Sequence, residues 1–506
     1  MSRIKELKDA ILTIDPAAEA IEFDGAWWTW GDLARVGAEI DAALVERGLG
    51  EGTRIAGIMR NRPEIAGGFA YVIGADRCLV TLNPSLPDEQ LAGDIVQLAP
   101  PVIFGTAADL ARGSVAKAIA DIGCLVLTLP SERGHRVEVS GGAGLGNGAL
   151  HMVSAPGTAI EMLTSGTTGK PKRVPLSQRA LESSLLSAAA FEKGGERGRT
   201  LRRAVAIVNA PFAHIAGVFG FMNALLAGRR VALLPKFTVE SWADAVFRHK
   251  PKVAGAPPAA LRMILDANIP REKLASLSAY RTGTAPLDPD LADQFFERYG
   301  IPVLQNYSAT EFAGSGAGWS LADFNEYGKA KRGSVGRINP PTEGRIVDQD
   351  SGAPLPAGAV GLLELRAAHL GDGSWVRTTD LAAIDDDGFL WIKGRADNAI
   401  IRGGFKVFPD DIIRAIETHP AILEAAVVAW PDERLGQIPV AAYLTVGGAA
   451  APSDGELRAH LRGQLLSYQI PAHLVHLTEL PRTPSLKVSQ PALRKILESE
   501  LHRVAA

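Results

Sequence analysis

The sequence contains Thr164-Ser165-Gly166-Thr167-Thr168-Gly169-Lys170-Pro171-Lys172, directly after the apolar pair Met162-Leu163, which is typical of the end of a strand. The segment combines two glycines, four hydroxyl side chains and two lysines. Glycines let backbone N–H groups approach an anion closely, hydroxyls donate hydrogen bonds to phosphate oxygens, and lysines supply positive charge. Composition alone leaves a solvated surface loop as the alternative, but the order of the residues favours a loop that binds a polyphosphate.

This loop differs from the Walker A loop of nucleotide-binding proteins. A Walker A sequence has four residues between its glycines and a serine or threonine after the lysine. Here two residues separate Gly166 from Gly169, and Pro171 follows Lys170. The sequence therefore predicts a polyphosphate site of another class.

Helical and strand patterns alternate on both sides of the loop. Leu33, Val36, Ile40 and Leu44 have the spacing of one face of a helix. A second helix is predicted over residues 63–74. Short apolar runs predict strands at 54–59, 78–82, 205–209, 231–234 and 253–255. Such alternation predicts an α/β fold with largely parallel sheets.

Bulk composition narrows the functional classes. A chain of 506 residues is long enough for more than one domain. The net charge of −3 gives no basic excess for a polyanion, so nucleic acid is disfavoured as a partner. The two cysteines, Cys78 and Cys124, lack the spacing of metal ligands and are expected to be small buried apolar groups.

One stretch, residues 204–228, lacks Asp, Glu, Lys and Arg and is long enough to span a bilayer. Asn209, Pro211, His214 and Asn223 interrupt it, so we predict a strand, a loop and a buried helix rather than a transmembrane segment. The first residues lack the apolar core of a signal peptide, and the cytoplasm is therefore the predicted location.

A second domain is predicted from Gly394-Arg395 onward. Asp410-Asp411 are expected to cap a helix, a strand is expected at 425–430, and a further helix is expected at 456–466. The sequence thus predicts a large N-terminal domain of layered α/β subdomains over residues 1–394 and a small α+β domain over residues 395–506.

Six further segments follow in chain order, at 281–287, 305–311, 377–381, 393–398, 401–407 and 481–488. Together with the loop at 164–172 they resemble the motifs of the adenylate-forming superfamily, which includes acyl- and aryl-CoA synthetases, adenylation domains of peptide synthetases and beetle luciferases. The loop matches nine positions of the family pattern T-S-G-T-T-G-x-P-K-G, and Arg173 replaces the last glycine. Ser308, Thr379 and Leu486 also stand where the family has glycine.

The resemblance implies how the nucleotide is held. Tyr307 stacks on adenine, Thr310 contacts the α-phosphate as a catalytic residue, and Glu311 binds Mg²⁺, which needs only one or two protein carboxylates beside phosphate. Asp380 accepts hydrogen bonds from the ribose hydroxyls, and Arg395 reaches ribose or phosphate. The other residues implied in cofactor binding are Thr164, Ser165, Gly166, Thr167, Thr168, Gly169, Lys172, Gly283, Thr284, Ala285, Asn306 and Ser308.

Further residues are implied in the chemistry. Lys487 catalyses adenylation, His214 lies beside the substrate carboxylate as a second catalytic residue, and Gly404 lines the tunnel for the pantetheine arm. Asp397 is the hinge about which a mobile C-terminal domain turns. The structural alternatives are a solvated lysine, a hydrogen-bonded core histidine and a loop at Gly404 that only turns the chain.

By this resemblance the chain is an AMP-forming carboxylic acid–CoA ligase that uses ATP, Mg²⁺ and coenzyme A and forms an acyl-adenylate before the thioester. Gly217, Gly220 and Ala309 are small, which favours an aromatic, cyclic or medium-chain acid. The alternatives are a stand-alone adenylation enzyme that loads a carrier-protein thiol and a degenerate, non-catalytic nucleotide-binding protein. A small carboxylic acid is the expected partner, and a homodimer is left open.

Overall fold

The structure, a computed structural model, describes residues 2–146, 148, 150–163, 173–187, 200–309, 314–367 and 373–505. Helices and strands alternate along most of the chain. The helices are α1 (Arg3–Ile14), α2 (Trp30–Val45), α3 (Pro63–Ile73), α4 (Asp88–Leu98), α5 (Ala107–Leu110), α6 (Gly113–Ile122), α7 (Gln178–Ser187), α8 (Ile215–Leu226), α9 (Val239–His249), α10 (Pro258–Asp266), α11 (Arg271–Leu274), α12 (Pro289–Tyr299), α13 (Leu321–Tyr327), α14 (Pro409–Glu417), α15 (Asp454–Arg462) and α16 (Gln490–Ala505).

The strands are short and most lie between helices. They are β1 (Glu19–Phe23), β2 (Ala26–Thr29), β3 (Arg54–Ile58), β4 (Cys78–Leu82), β5 (Val102–Thr106), β6 (Leu125–Leu129), β7 (Glu138–Gly141), β8 (Thr158–Leu163), β9 (Arg173–Ser177), β10 (Arg202–Val208), β11 (Arg229–Leu233), β12 (Val253–Gly255), β13 (Ala279–Thr282), β14 (Val303–Ala309), β15 (Gly314–Gly318), β16 (Arg337–Ile338), β17 (Glu343–Val347), β18 (Gly361–Arg366), β19 (Val376–Ile384), β20 (Leu390–Arg395), β21 (Ile400–Arg402), β22 (Phe405–Val407), β23 (Ile422–Asp432), β24 (Gly436–Thr445) and β25 (His473–His476).

The largest sheet has seven strands in the order β7-β6-β5-β3-β4-β8-β9. Its central strands β3, β4 and β5 pair in parallel and are buried on both faces. Leu33 of α2 and Phe69 of α3 belong to the core on one face. Ile95 of α4 and Val115 of α6 belong to the core on the other. Because helices cover both faces, these strands are continuous apolar runs in the sequence.

Two smaller sheets complete the first compact unit, which contains the described residues up to Glu326. One has the order β10-β11-β1-β2, and the other contains β12, β13, β14 and β15 in that order. β10, β11 and β1 pair in parallel, as do β12, β13 and β14. The carboxyl ends of such strands meet at one edge, where ligands of α/β proteins commonly bind.

The second compact unit begins at Tyr327. It contains the antiparallel sheet β17-β18-β19-β20 and a sheet of order β22-β21-β24-β23, to which β25 adds in parallel. In the latter sheet, α14 and α15 pack against one face and α16 against the other. The α+β class predicted for the C-terminal part is confirmed, and the boundary at residues 394 and 395 stays a prediction.

Most of the predicted elements are confirmed. All four apolar positions predicted for α2 are buried, and the strands predicted at 78–82 and 253–255 have those bounds. The predicted cap at Asp410-Asp411 is wrong. Both lie in the first turn of α14, whose N-cap is Phe408, because Pro409 occupies the first helical position. The last predicted helix, α15, begins earlier, with Ser453 as its N-cap, and ends at Arg462.

The apolar stretch at 204–228 divides into β10, a turn and α8, as predicted. Across the described ranges, no helix combines the length and apolarity needed to cross a bilayer. Cys78 and Cys124 are buried and form no disulfide. Burial raises the pKa of each thiol to about 12, so both behave as the small apolar groups that the sequence predicts.

Candidate active site

The sheet of β12 to β15 brings two of the predicted nucleotide-contacting segments together. β13 and β14 are parallel neighbours in which Thr282 pairs with Gln305. Gly283 and Asn306 follow these two residues. A Cβ atom on Gly283 would lie 2.7 Å from Asn306 Oδ1 and 2.8 Å from the Asn306 carbonyl oxygen. Only glycine permits this approach, so Gly283, which begins the turn after β13, lies beside Asn306 at the carboxyl edge.

The turn after β13 departs from the ordinary backbone at one residue. Thr284 has φ +70°, the left-handed region that glycine favours and a β-branched residue avoids. Ala285 is half-buried in the same turn, and Asn306, Tyr307 and Ser308 are half-buried on β14. The side chains predicted to contact the nucleotide are therefore partly accessible at this edge.

His214 lies where β10 passes into α8. It is the N-cap of α8, and its backbone N–H donates to the carbonyl oxygen of Pro211 at 3.0 Å. Gly217 packs on the same turn, since a Cβ there would lie 2.3 Å from the Pro211 carbonyl oxygen. The prediction that Gly217 leaves room for a substrate is therefore wrong, because its missing side chain accommodates the backbone. Among the described residues outside the adjoining backbone of α8, none has an atom within 4 Å of the position that a Cβ on Gly220 would take.

Asn61, which the sequence motifs do not single out, supports the turn that carries His214. Its side chain is buried, and Nδ2 donates to the carbonyl oxygens of Ala210 at 3.1 Å and Leu234 at 3.0 Å. Its Oδ1 accepts the backbone N–H of Phe212 at 2.8 Å. One amide thus satisfies three backbone groups, and the fully buried Phe212 ring packs edge-on against Phe69 and Phe221.

A second amide connects the two parts of this edge. Asn209, at the end of β10, donates from Nδ2 to the carbonyl oxygen of Gly255 at the end of β12, at 3.1 Å. The next carbonyl oxygen, that of Ala256, accepts from Thr282 Oγ1 at 2.9 Å. The carboxyl ends of β10, β12 and β13 are therefore tied together, so the His214 turn and the Gly283 turn belong to one edge of the first unit.

In the second unit, Asp380 and Arg395 are cross-strand partners on β19 and β20. Arg395 donates from Nε and Nη2 to the two carboxylate oxygens of Asp397, at 2.9 and 2.7 Å, and from Nη2 to Thr379 Oγ1 at 2.8 Å. Thr379, where the family has glycine, thus supplies an acceptor for the arginine. The predicted hinge residue Asp397 lies in a single 3₁₀ turn directly after β20.

The carboxyl group of Asp410 packs against the same strand. A Cβ on Gly394, which has φ +145°, would lie 2.9 Å from Asp410 Oδ2. Burial raises the pKa of Asp410; Arg414 opposes the shift, and the negative charges of Asp411 and Asp380 add to it. Sequence reasoning assigned Asp410 only to a helix cap, and its spacing gives no sign that it lies beside the predicted ribose site.

Lys487 lies in a closed turn near Arg395. The N–H of Thr483 donates to the carbonyl oxygen of Lys487 at 2.8 Å, and Arg482 forms an antiparallel bridge with Val488. Leu486, where the family has glycine, adopts φ +63° and so keeps the backbone that glycine would have. Burial lowers the pKa of Lys487, and the positive charge of Arg395 lowers it further. In the second unit, Asp380 thus pairs with Arg395, and Lys487 lies close enough to Arg395 to feel its charge.

Gly404 lies in a tight hairpin turn between β21 and β22. Arg402 pairs with Phe405 across it, and the two intervening glycines have φ +56° and +89°. A two-residue hairpin loop with positive φ at both positions requires glycine or a similar residue. The glycines are needed for this turn, and the role of Gly404 beside a pantetheine arm stays a prediction.

Several predicted site residues lie outside the described residues. They are Thr164, Ser165, Gly166, Thr167, Thr168, Gly169, Lys172, Thr310 and Glu311. Among the residues that are described, no group of three or more His, Cys, Asp or Glu side chains could hold a metal ion. The magnesium site therefore rests on Glu311 and stays a prediction.

Comparison with known proteins identifies the family of the chain. The chain matches the AMP-binding enzyme family over residues 11–375 and the family's C-terminal domain over residues 414–487. It therefore belongs to the AMP-binding enzyme family. It is 29% identical to indoleacetate–CoA ligase of Aromatoleum aromaticum over 98% of both chains. It is 31% identical to 4-coumarate–CoA ligase-like 2 of Arabidopsis thaliana over 69% of this chain and 63% of that protein.

The fold also agrees with a solved structure. The chain superposes on the ATP-bound MatB of Rhodopseudomonas palustris with a TM-score of 0.80 at 25% identity. The superposition covers 97% of this chain and 98% of the MatB chain. The predicted fold class, with a large N-terminal and a small C-terminal part, is therefore confirmed.

Replacement of Asn61 by leucine tests the support of the His214 turn. Three buried backbone groups lose their partner, and each such loss costs about 1–3 kcal/mol, so we expect a stability loss of about 3 kcal/mol or more by urea unfolding. The KM for a carboxylic acid should rise about tenfold while the KM for ATP changes little, because two of the three lost hydrogen bonds, those to Ala210 and Phe212, support the His214 turn.

Ser334→Ala is the matched control, because Ser334 is a buried side chain of the second unit that bonds the backbone at Gly336 and Leu390. It should lose stability without raising either KM. Equal increases of both KM values in the Asn61 variant would contradict a role confined to the turn.

Proposed function

We propose that this chain activates a carboxylic acid with ATP and transfers the acyl group to coenzyme A, releasing AMP and pyrophosphate. The observation that carries the proposal is the match to both parts of the AMP-binding enzyme family, together with the pairing of Asp380 with Arg395 and the nearness of Lys487 to Arg395 in the second unit. The full-length similarity to a protein named an acid–CoA ligase supports the same reaction.

The chemistry begins from a poor electrophile, since a carboxylate would have to expel an oxide or hydroxide. A carboxylate oxygen attacks the α-phosphorus of ATP, the bond to the β,γ-phosphates breaks, and pyrophosphate leaves with its electron pair. The product is a mixed anhydride whose AMP group is readily expelled. A thiolate of coenzyme A then attacks the acyl carbon, and the carbon–oxygen bond to AMP breaks to give the thioester.

Three of the described residues have the charge or the hydrogen-bonding groups that these steps require. Lys487 contributes a positive charge where the carboxylate and the α-phosphate meet, and preorganised cations stabilise developing charge most strongly in partly desolvated surroundings. Asp380 offers two carboxylate oxygens to the two ribose hydroxyls, which are donors. His214 orients the substrate carboxylate from the N-terminus of α8, where the helix dipole also favours an anion.

Magnesium ion supplies neutralisation of the polyphosphate charge when it is bound. Glu311 would hold it together with phosphate oxygens, and the residues at 164–172 would hold the pyrophosphate side. Both assignments rest on the resemblance, since these residues lie outside the described part of the chain.

Adenylation and thioester formation would have to use one site in succession. A turn of the C-terminal domain about Asp397 would take place between the two steps. Within the second unit Lys487 lies near Arg395, and we assign this pairing to the adenylation step. After the turn, the Gly403–Gly404 hairpin would replace Lys487. The bidentate pair between Arg395 and Asp397 lies directly at the proposed pivot, so the turn would strain or release it.

The alternatives differ in the thiol acceptor or in activity. A stand-alone adenylation enzyme would load a carrier protein, but the relatives described above carry the names of CoA ligases. A degenerate binding protein would have no use for Lys487 beside Arg395. A cytoplasmic location and a homodimer stay predictions.

We further propose that the acid is aromatic, cyclic or of medium chain length. Two relatives are named for indoleacetate and 4-coumarate, both of which are aromatic acids. The half-buried Gly220 lies in α8, six residues after His214, and no described residue lies within 4 Å of the position of its absent Cβ. An acyl group held at His214 would extend toward this part of α8.

A screen of acids tests the reaction itself. Pyrophosphate release should depend on an aromatic, cyclic or medium-chain acid, and an acyl-CoA should accumulate when coenzyme A is present. Release of pyrophosphate without an acyl-CoA from any acid would favour a carrier-protein acceptor. Binding of AMP without any turnover would favour the degenerate protein.

Lys487→Ala should separate the two half-reactions. Loss of a cation at the reacting atoms should slow adenylation by about a hundredfold or more. Thioester formation from supplied acyl-adenylate should retain most of its rate, because the proposed turn removes Lys487 before that step. Lys495, an exposed residue of α16, provides the control Lys495→Ala. Equal loss of both half-reactions in the Lys487 variant would contradict the domain turn.

Gly220→Val should narrow the acid pocket. The added side chain would occupy the space that the described residues leave free at Gly220. We therefore expect kcat/KM to fall about tenfold or more for the largest accepted acid and little for a short one. Gly455→Val is the control, because Gly455 is an exposed glycine of α15 whose Cβ position also has no described residue within 4 Å. A uniform loss over all acids would argue against a pocket at Gly220.

A further inference from the structure

Arg173 stands where the family pattern ends in glycine, and its backbone closes a hairpin. It is the first residue of β9 and pairs with Leu163, the last residue of β8. Residues 164–172 join these two partners in the sequence, so the Leu163–Arg173 pair fixes both ends of the predicted phosphate-binding segment. The extra positive charge has two candidate roles: it contacts the phosphates of ATP, or it stabilises the fold.

The contacts of the guanidinium group decide between these uses. Arg173 Nη1 donates to the carbonyl oxygens of Thr81 and Glu161, each at 3.1 Å. Nη2 donates to the carboxylate of Asp94, at 3.0 and 3.3 Å. These partners lie on β4, β8 and α4. The cation is thus engaged by one carboxylate and two carbonyl groups of the fold.

This ion pair is largely removed from water, since the side chains of Arg173 and Asp94 are each 16% exposed. A planar guanidinium can donate to several acceptors in a fixed geometry, whereas an ammonium group is a single point of charge. The start of β9 is therefore held by a contact that glycine could not make and that lysine could make only in part.

We propose that Arg173 is a positioning residue for ATP binding: its guanidinium, held by Asp94 and by two strand carbonyls, fixes the residue at which the phosphate-binding segment returns to the sheet. This inference rests on the proposed function of residues 164–172. Ordering the backbone of one residue is equivalent to a factor of about ten in a binding constant. Because the Arg173 contacts already fix the start of β9, nucleotide binding does not have to order the backbone there.

The experiment compares Arg173→Met, Arg173→Lys, Asp94→Asn and the double variant Arg173→Met with Asp94→Asn. KM values for ATP and for the acid are measured by acid-dependent pyrophosphate release. Arg173→Met should raise the KM for ATP about tenfold and leave the KM for the acid within about twofold. Asp94→Asn should raise the KM for ATP in the same direction, and the double variant should be no worse than Arg173→Met, because both residues act through one contact.

Arg112→Met is the matched control. The Arg112 guanidinium also contacts one carboxylate of α4, that of Asp88, and two carbonyl oxygens, those of Pro84 and Leu86, and its side chain is 19% exposed. Arg112 is the N-cap of α6, and its partners Pro84, Leu86 and Asp88 include no residue of β8 or β9. The Arg112→Met variant should lower the melting temperature about as much as Arg173→Met does. Unlike Arg173→Met, it should leave the KM for ATP unchanged.

Two outcomes would overturn the proposal. If Arg173 contacts phosphate directly, Arg173→Lys should keep most ATP affinity and Asp94→Asn should tighten ATP binding. If Arg173 only stabilises the fold, its variants should behave as Arg112→Met. ATP affinity can also be measured without any acid, as the ATP concentration that gives half of the maximal rise in melting temperature. The Arg173 and Arg112 variants should differ in this value as they differ in the KM for ATP. Because this measurement needs no reaction, failure of the proposed reaction is separable from failure of this inference.

Discussion

Parallel pairing of β12, β13 and β14 is the constraint on which the site in the first unit depends. It brings the ends of three strands to one edge, and the sequence then continues into the Gly283 turn and Asn306 at that edge. Asn209 extends the edge to β10 through the carbonyl oxygen of Gly255. A shift of one residue in this register would turn Tyr307 and its neighbours to the other face of the sheet.

Much of the fold could be predicted from the sequence, because helical and strand periodicity depends on local residues. The face of α2 and the strands β4 and β12 follow from spacing alone. The support of the site could not be predicted in this way. Asn61 bonds a carbonyl group 149 residues away, and no local pattern records which carbonyl a buried amide will contact. The motifs located the segments of the site, and only the fold shows what holds them.

Three of the four positions that depart from the family's glycines have physical explanations, which are of two kinds, and nothing in the structure explains Ser308. Leu486 adopts the left-handed backbone of the residue it replaces, at a cost of about 1–2 kcal/mol. Thr379 and Arg173 instead gain side-chain contacts, with Arg395 in one case and Asp94 in the other. A motif with a missing glycine can therefore keep its geometry, provided that the new side chain either accepts the strain or is used by the structure.

The burial of both cysteines has a chemical consequence for an enzyme that makes a thioester. An acyl-adenylate is a reactive anhydride, and any accessible thiolate nearby would compete with coenzyme A for the acyl group. Cys78 and Cys124 are the two thiols of the chain, and both are buried and protonated at neutral pH, since each pKa is raised to about 12. The protein therefore presents no sulfur nucleophile of its own, and the activated acyl group is preserved for the incoming substrate thiol.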